Sequence, residues 1–194
     1  MPKKSLKPST YLYPVPVMLI SAQGRSGKPN IATISWGGVL CSDPPLVGIS
    51  IRPTRHTHEL VKESMEFVLN LPSQRWLKET DYCGSVSGKD IDKFLTVGFT
   101  TADSDMVKVP LINECPLNLE CKVKQILYLG THDLFIAEVV AVHADDDILD
   151  GDKIIIDKLA PVSFYPNVHE YRATGEKIGT YGFSKKGKEL GRSA

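Results

Sequence analysis

Short apolar runs of strand length, separated by turn residues, constrain the fold of this chain more than any other feature. The run VPVMLISA is followed by the turn cluster QGRSGKPN and then by IATISWGGVL, a pattern that predicts a hairpin. LVGISI and FVLNLP are continuous apolar runs, which are typical of strands buried on both faces. The first half of the chain is therefore expected to form a β-sheet.

A second, longer hairpin is predicted in the other half. The segment LNLECKV alternates apolar and polar residues, and LFIAEVVAVHA follows it after the turn YLGTHD. This alternation places one set of side chains on a common face: Leu117, Leu119, Cys121 and Val123. IIIDKLAPVSFY is expected to supply the final strand region.

Helices are few in this pattern. TRHTHELVKESM predicts one helix, with Thr57 as its N-cap and Glu59 in its first turn, where the helix dipole favours negative charge. SQRWLKETDYCGSVSGKDIDKF predicts a helix, a loop and a short helical turn. Because helices do not alternate with strands, the chain is mainly β, with the Greek-key connections of a barrel or sandwich, and is not a doubly wound α/β protein.

Length and charge limit the function classes. The 194 residues are enough for one domain, residues 1–194, with a basic tail at 184–194 that we expect to be mobile. The 23 basic and 23 acidic side chains cancel, so no bulk charge attracts nucleic acid or anionic lipid. Any anion site must therefore be local.

The N-terminal segment has some features of a signal peptide. Lys3, Lys4 and Lys7 precede YLYPVPVMLISA, but two prolines interrupt this run and no cleavage site follows it. No apolar run approaches the roughly 18 residues of a membrane span. The four cysteines form no CxxC pair and are expected to be reduced thiols. Together these features predict a cytoplasmic protein without membrane partners.

The sequence contains no complete copy of the P-loop, nucleophile-elbow or dinucleotide-binding motifs. GSVSGKD has only three residues between its glycines and an aspartate where a P-loop needs Ser or Thr. No GxSxG elbow or GxGxxG fingerprint occurs. His56, His58 and His132 could be brought together at a metal by tertiary structure, although the two histidines at a helix start are expected to diverge. A metal site therefore remains an alternative.

The stretch SIRPTRHTHEL indicates an anion site. Arg52 and Arg55 lie just before a predicted helix N-terminus, whose N–H groups attract phosphate. Arginine forks match phosphate oxygens, and the hydroxyls of Ser50, Thr54 or Thr57 can add hydrogen bonds. The alternative is a solvated helix start with surface arginines.

The stretch NIATISWGGVL is unusual for a strand because small and hydroxylated residues replace large ones. Ala32, Thr33 and Ser35 lie beside Trp36 and two glycines. Such a strand can leave its backbone open to a flat ligand. The alternative is a close contact between two strands, which glycine and alanine permit.

Five segments in register resemble the flavin reductase-like, FMN-binding split-barrel family, and its flavoredoxin branch in particular. They are NIATISW, PPLVGISIRPTRHTHEL, FVLNLP, SGKDIDKF and LGTHDLFIAEVVAVHAD, which together span most of the chain. The resemblance implies a six-stranded Greek-key split β-barrel. It also implies a homodimer that holds non-covalent FMN near the subunit interface.

The same resemblance assigns residues to the cofactor. Those matched to the isoalloxazine ring are Asn30, Ala32, Thr33, Ser35 and Trp36. Those matched to the phosphate end are Ser50, Arg55, His56 and Thr57. Lys93 and Phe94 approach the flavin from the other side, and His132 and Phe164 are further candidates near the ring.

The function implied is that of an FMN-binding oxidoreductase, which takes hydride or electrons onto the flavin and passes them to an acceptor. NADH, NADPH or a protein is the expected donor, and no catalytic side chain is expected because the chemistry takes place at flavin N5. A non-enzymatic FMN-binding electron carrier and a metal-binding split-barrel protein are the alternatives.

Overall fold

A computed structural model describes residues 1–185 of the chain. The strands are β1 (Val15–Pro16), β2 (Met18–Gln23), β3 (Pro29–Ile34), β4 (Gly37–Cys41), β5 (Leu46–Ile51), β6 (Glu66–Leu71), β7 (Thr101–Ala102), β8 (Leu111–Ile112), β9 (Leu117–Tyr128), β10 (Asp133–Ala144), β11 (Leu149–Asp150), β12 (Lys153–Ile154), β13 (Val162–Tyr165) and β14 (Glu170–Ala173). The α-helices are α1 (His56–Ser64), α2 (Leu77–Ser85), α3 (Lys93–Val97) and α4 (Ile156–Leu159). Short 3₁₀ helices span Gln74–Trp76, Asp146–Ile148 and Phe183–Lys185. The predicted mobile tail, 184–194, lies outside the described residues except for its first two positions.

The main sheet has seven strands in the order β3-β2-β6-β9-β10-β5-β4. Its two edge strands, β3 and β4, are consecutive in the chain, with only Ser35 and Trp36 between them. Two residues reach about 7 Å at most, so the sheet must curl until its edges nearly meet. The result is the predicted split β-barrel, with the split at Ser35–Trp36. The main sheet has seven strands instead of the expected six because IATISWGGVL divides there into two strands.

The core fills the curl of this sheet. Ile20, Phe67 and Phe135 of this core are almost completely excluded from solvent. Leu19 and Ile31 are equally buried but belong to a second cluster, which includes residues of α2 and α3. The runs LVGISI and FVLNLP became β5 and β6, two interior strands of the sheet whose residues are mostly buried on both faces. Continuous apolar runs therefore predicted these strands correctly.

The hairpin β9–β10 confirms the predicted long hairpin, and Asp133 pairs with Tyr128 next to its turn. The predicted apolar face is buried at Leu117, Cys121 and Val123. Glu120, on the opposite face, is also fully buried. Its carboxylate accepts backbone N–H groups of Asp105, Met106 and Val107 and contacts His143 Nε2 at 2.6 Å. The segment around residues 105–107 therefore covers a face that alternation alone predicts to be exposed.

The prediction that Thr57 caps helix α1 was wrong. The helix begins at His56 and its N-cap is Arg55, which makes no side-chain capping bond. A turn closed by the Arg55 N–H and the Arg52 carbonyl at 2.9 Å sets this earlier start. Thr57 consequently lies inside the first turn and is buried, while Glu59 occupies the first turn as predicted.

The remaining helices and the C-terminal strands follow the sequence in part. Helix α2, a loop and the short α3 match the prediction for residues 73–94. In the predicted final strand region, Ile154 ends the short strand β12, IDKL forms α4 and not a strand, and VSFY extends as β13. Strand β14 was not predicted, and it pairs with β13 in a small sheet of order β1-β13-β14. All four cysteines are free thiols, and no helix in residues 1–185 is long and apolar enough to span a membrane.

Candidate functional site

Two adjoining cavities lie along one side of β3, next to the split of the barrel. The larger, of about 440 Å³, is called the aromatic cavity because Trp36, His132, Phe164 and Tyr171 line it. The smaller, of about 230 Å³, is called the cationic cavity because Arg55 and Lys93 line it. Both cavities share walls from β3, the end of β5, Arg55 and Gly84. They therefore form one continuous elongated site.

Lys93 is buried in the wall of the cationic cavity, with only 5% of its surface exposed. Its Nζ atom donates to the Cys83 carbonyl at 2.6 Å, which leaves two of its three N–H donors without a protein acceptor in residues 1–185. Burial lowers the pKa of Lys93, and the charge of Arg55 nearby lowers it further. No carboxylate of the described chain pairs with Lys93 or Arg55. The cavity is thus built around uncompensated positive charge.

His56 adds an unused polar atom to the cationic cavity. Its Nδ1 is buried and has no hydrogen-bond partner in the described structure. The carboxylate of Glu59 lies 3.7 Å away, which is too far for a hydrogen bond. Because buried polar atoms in folded proteins nearly always have a partner, this one favours a bound ligand that accepts from the ring.

Small residues bring the cavity walls close together. A side chain at Gly88 would overlap the amide of Asn30, and one at Gly84 would lie 3.0 Å from Thr33. Gly37 lies so close to the Gly48 carbonyl that a Cβ atom would be 2.6 Å from it. Gly38, in contrast, has open space where its side chain would be. Gly37 therefore supports the strand-contact interpretation of this stretch, whereas Gly38 leaves backbone open.

Aromatic rings form the opposite wall of the aromatic cavity. The rings of Trp36 and His132 are nearly parallel, with centroids 6.4 Å apart and an angle of 5°. Phe164 packs against Tyr171 at 5.0 Å. Burial, and then the charge of Arg52, lower the pKa of His132, so the neutral ring is favoured. These side chains offer flat apolar surfaces to a flat ligand.

Tyr171 ties the C-terminal hairpin β13–β14 to helix α2. Its hydroxyl donates to Asp81 Oδ1 at 3.0 Å, and both residues line the aromatic cavity. Burial, reinforced by the Asp81 carboxylate, raises the pKa of Tyr171 to about 12. Sequence reasoning missed Tyr171, Asp81 and His169. The four-residue strand EYRA, which carries Tyr171, has no periodic signal strong enough to predict it, and Asp81 meets it only through tertiary structure.

The residues that the sequence assigned to a cofactor lie on these walls, with two exceptions. Those lining the cationic cavity are Ala32, Thr33, Arg55, His56, Thr57 and Lys93. Those lining the aromatic cavity are Thr33, Ser35, Trp36, Ser50, Arg55, His132 and Phe164. Asn30 and Phe94 line neither cavity. Asn30 donates to Thr57 Oγ1 at 2.9 Å behind the wall, and Phe94 packs in the core with Ile31 and Phe99.

The structure does not gather the three histidines of the metal alternative. His58 Nε2 contacts Asp133 Oδ2 at 2.7 Å, while His132 stacks on Trp36. Within residues 1–185, the group whose ligand atoms lie close enough for a metal is Asp105, Glu120 and His143. The Glu120 oxygens there already accept three backbone N–H groups and contact the His143 ring, which leaves little capacity for an ion.

A third cavity, of about 740 Å³, lies beyond Trp36 and is called the apolar cavity. Its walls include Leu12, Val15, Leu40 and Leu134, and it shares Ser35, Trp36 and Ser50 with the aromatic cavity. Strand β4 forms one wall, and its residues Val39 and Leu40 are 80% and 50% exposed. A large apolar surface therefore adjoins the site.

Comparisons with known proteins place this geometry among flavoproteins. The family model described as flavin reductase like domain matches residues 10–167. A flavoredoxin structure from Desulfovibrio vulgaris (Miyazaki F) is 33% identical, covers 94% of this chain and 99% of its own, and superimposes with a TM-score of 0.89. A flavoredoxin structure from Methanosarcina acetivorans is 30% identical, covers 96% and 98%, and has the same TM-score of 0.89.

A relative known from sequence agrees with these matches. A protein from Archaeoglobus fulgidus is 39% identical over 141 residues, which are 73% of this chain and 78% of that protein. The match bears the name "Uncharacterized protein" and so adds no activity.

Proposed function

Since the chain belongs to the flavin reductase-like domain family, as its sequence predicted, we propose that it binds FMN and acts as an FMN-dependent oxidoreductase. The flavoredoxin structures cover nearly the whole chain at 33% and 30% identity, which supports this function. The observation that carries it is the pairing of a cationic cavity with an aromatic one along a single strand, β3.

The cationic cavity fits the phosphate of FMN. Arg55 and Lys93 provide two positive charges that have no carboxylate partner in the described chain, and a phosphate monoester carries a charge near −2 at neutral pH. The buried Nδ1 of His56 supplies a further hydrogen-bonding atom, and helix α1 begins at the same place. A phosphate here would compensate the buried charge of Lys93.

The aromatic cavity fits the ring system. Residues Thr33 to Trp36 follow one wall, where small and hydroxylated side chains leave the strand accessible. Trp36, His132 and Phe164 supply aromatic surfaces. Placing the phosphate in the cationic cavity orients the flavin so that its ring occupies the aromatic cavity, because the two cavities are continuous.

A bound FMN supplies hydride and one-electron chemistry, and the protein supplies position and polarity. Arg55 and Lys93 hold the phosphate end. Trp36 and His132 line the aromatic cavity with nearly parallel rings, against which the flavin ring would pack. The Tyr171–Asp81 hydrogen bond holds the C-terminal hairpin against the same cavity.

The proposed electron donor is NADH or NADPH, and an electron carrier without nicotinamide activity is the second candidate. The carrier is favoured by the 42% exposure of Trp36 at the cavity opening, which lets a protein partner approach the site. FMN-loaded protein is to be mixed with NADH or NADPH in the absence of air. Loss of the flavin absorbance, faster than for free FMN, supports the enzyme; unchanged absorbance with both donors contradicts it.

We also propose a homodimer. Strand β4 is an edge of the main sheet, and its exposed Val39 and Leu40 adjoin the apolar cavity. Exposed apolar edge strands tend to be covered by another chain. A second copy seated here would lie beside Trp36 and so close the site.

We further propose that the protein is cytoplasmic. The four free thiols support this location, because thiols stay reduced in the cytoplasm.

A further inference from the structure

Arg52 is a charged residue of the site to which the proposed function gives no role. It follows β5 directly, is exposed, and lines the aromatic cavity but not the cationic one. Its charge reaches the ring of His132, whose pKa it lowers after the larger effect of burial. The guanidinium of Arg52 therefore lies on the ring side of the site, away from Lys93.

Other arginines in residues 1–185 have partners. Arg25 pairs with Glu63 at 3.3 Å, Arg172 pairs with Glu170 at 2.6 Å, and Arg75 lies over the Trp76 ring at 5.1 Å. Arg55 has the phosphate of FMN as its proposed partner. Arg52 alone among these has neither a carboxylate nor an aromatic ring as partner in the described chain and has no share in the cationic cavity.

The aromatic cavity offers Arg52 no carboxylate at salt-bridge distance within the described residues. Asp81 is the one carboxylate among its lining residues, and an oxygen of Asp81 accepts the hydroxyl of Tyr171. The other charged side chain on its walls, Arg55, is also positive. An anion entering beside Trp36 and His132 would thus meet attraction from the two arginines, opposed by the one carboxylate of Asp81.

We propose that Arg52 binds the carboxylate of a flat, singly charged second ligand that enters the aromatic cavity over the flavin. This inference rests on the proposed function and names the class of its substrate as planar carboxylates. The planar fork of one guanidinium matches one carboxylate. A phosphate dianion would need a second cation, and no unassigned cation lines this cavity in the described residues.

The test compares benzoate with benzamide, which have nearly the same shape and differ in charge. Both are titrated into FMN-loaded protein at constant pH and ionic strength, and binding is followed by the shift of the flavin absorbance bands, without turnover. We expect benzoate to bind at least about tenfold more tightly than benzamide. In Arg52→Gln the two should bind about equally, while the affinity for FMN stays within about twofold of wild type.

Arg25→Gln is the matched control, because it removes an exposed arginine that lines none of the three cavities. It should keep the benzoate preference. Equal binding of both probes by the wild type, or a preference that survives in Arg52→Gln, would overturn the proposal.

A failure of the proposed FMN binding can be distinguished from a failure of the proposed carboxylate site. A protein that takes up no FMN contradicts the FMN proposal by itself. The two titrations are then followed in the same protein by the fluorescence of Trp36, with Trp36→Phe to subtract Trp76. A benzoate preference that depends on Arg52 supports the carboxylate site even in this FMN-free protein. Equal binding of benzoate and benzamide there overturns the carboxylate proposal.

Discussion

The Nε2 atom of His58 lies 2.7 Å from Oδ2 of Asp133, and both side chains are only 7% exposed. His58 belongs to the first turn of α1, beside the cationic cavity, and Asp133 begins β10 directly after His132. This buried contact therefore connects the phosphate end of the site to the turn that carries His132. Neither residue lines a cavity, so the contact supports the site from behind its walls.

Replacing His58 with alanine should destabilise the protein strongly. The Asp133 side chain would stay buried without its ring partner, and breaking such a pair costs about 3 kcal/mol of the free energy of unfolding. Urea denaturation measures the change. His132→Ala, at the neighbouring and more exposed position, is the control and should cost less than about 1 kcal/mol. Equal losses of unfolding free energy in both variants would show that the His58–Asp133 contact does not stabilise the fold.

Arg55→Ala should weaken FMN binding by about 10- to 100-fold, because a charge-assisted hydrogen bond contributes about 1.5–3 kcal/mol. Riboflavin, which lacks the phosphate, should bind the variant and the wild type with similar affinity. Fluorescence quenching of each flavin measures both constants, and activity should return at saturating FMN. A parallel loss of riboflavin affinity would contradict the phosphate role of Arg55.

Lys93 should make the stability of the FMN-free protein depend on pH. Burial lowers its pKa in the folded state, so below the ordinary lysine pKa the unfolded chain binds more protons than the folded one. The free energy of unfolding should therefore rise with pH between the lowered and the ordinary pKa. The difference in the free energy of unfolding between the wild type and Lys93→Met, measured at each pH, isolates the contribution of Lys93 from that of other titrating groups. A difference that is flat across this range, or falls with pH, would contradict a buried charged lysine.

Tyr171→Phe should loosen the C-terminal hairpin. The substitution removes the hydrogen bond to Asp81, with an expected cost of about 1 kcal/mol. Hydrogen exchange of the β13 and β14 amides should accelerate, while that of β6 should not. Tyr165→Phe is a suitable control, since the Tyr165 hydroxyl makes no hydrogen bond within residues 1–185. Unchanged exchange in Tyr171→Phe would show that the hairpin does not depend on this bond.

Val39→Lys should convert the proposed homodimer to a monomer, because it puts charge on the edge strand β4. Sedimentation equilibrium should give twice the chain mass for the wild type and the chain mass for the variant. Leu95→Lys changes a side chain of similar exposure, 82% against 80%, on helix α3, and should remain dimeric. A dimeric Val39→Lys would place the interface elsewhere.

The sequence predicted those parts of the fold that depend on local pattern. Continuous apolar runs located β5 and β6, and alternation with turn residues located the β9–β10 hairpin, because burial on two faces or on one leaves a recognisable pattern in the chain. The division of IATISWGGVL at Ser35–Trp36 left no such trace. It depends on how far the sheet curls, which is a property of all seven strands together.

The site was predictable to a similar extent. Arg52 and Arg55 were predicted to lie near an anion because arginines before a helix start carry local chemical meaning, whereas His56 was assigned to the phosphate end by the family resemblance alone. The capping role given to Thr57 failed, because the turn from Arg52 to Arg55 moved the helix start. Glu120 and Tyr171 have partners that are distant in sequence, so no short pattern could show that one is buried or that the other closes a cavity.

The most direct test of the central claim is the visible absorbance spectrum of the purified protein, followed by heat release and chromatography of its chromophore. We predict the two-band spectrum of an oxidised flavin and the recovery of FMN, rather than FAD or riboflavin, in an amount equimolar with the chain. A colourless protein that also fails to take up added FMN would contradict the account.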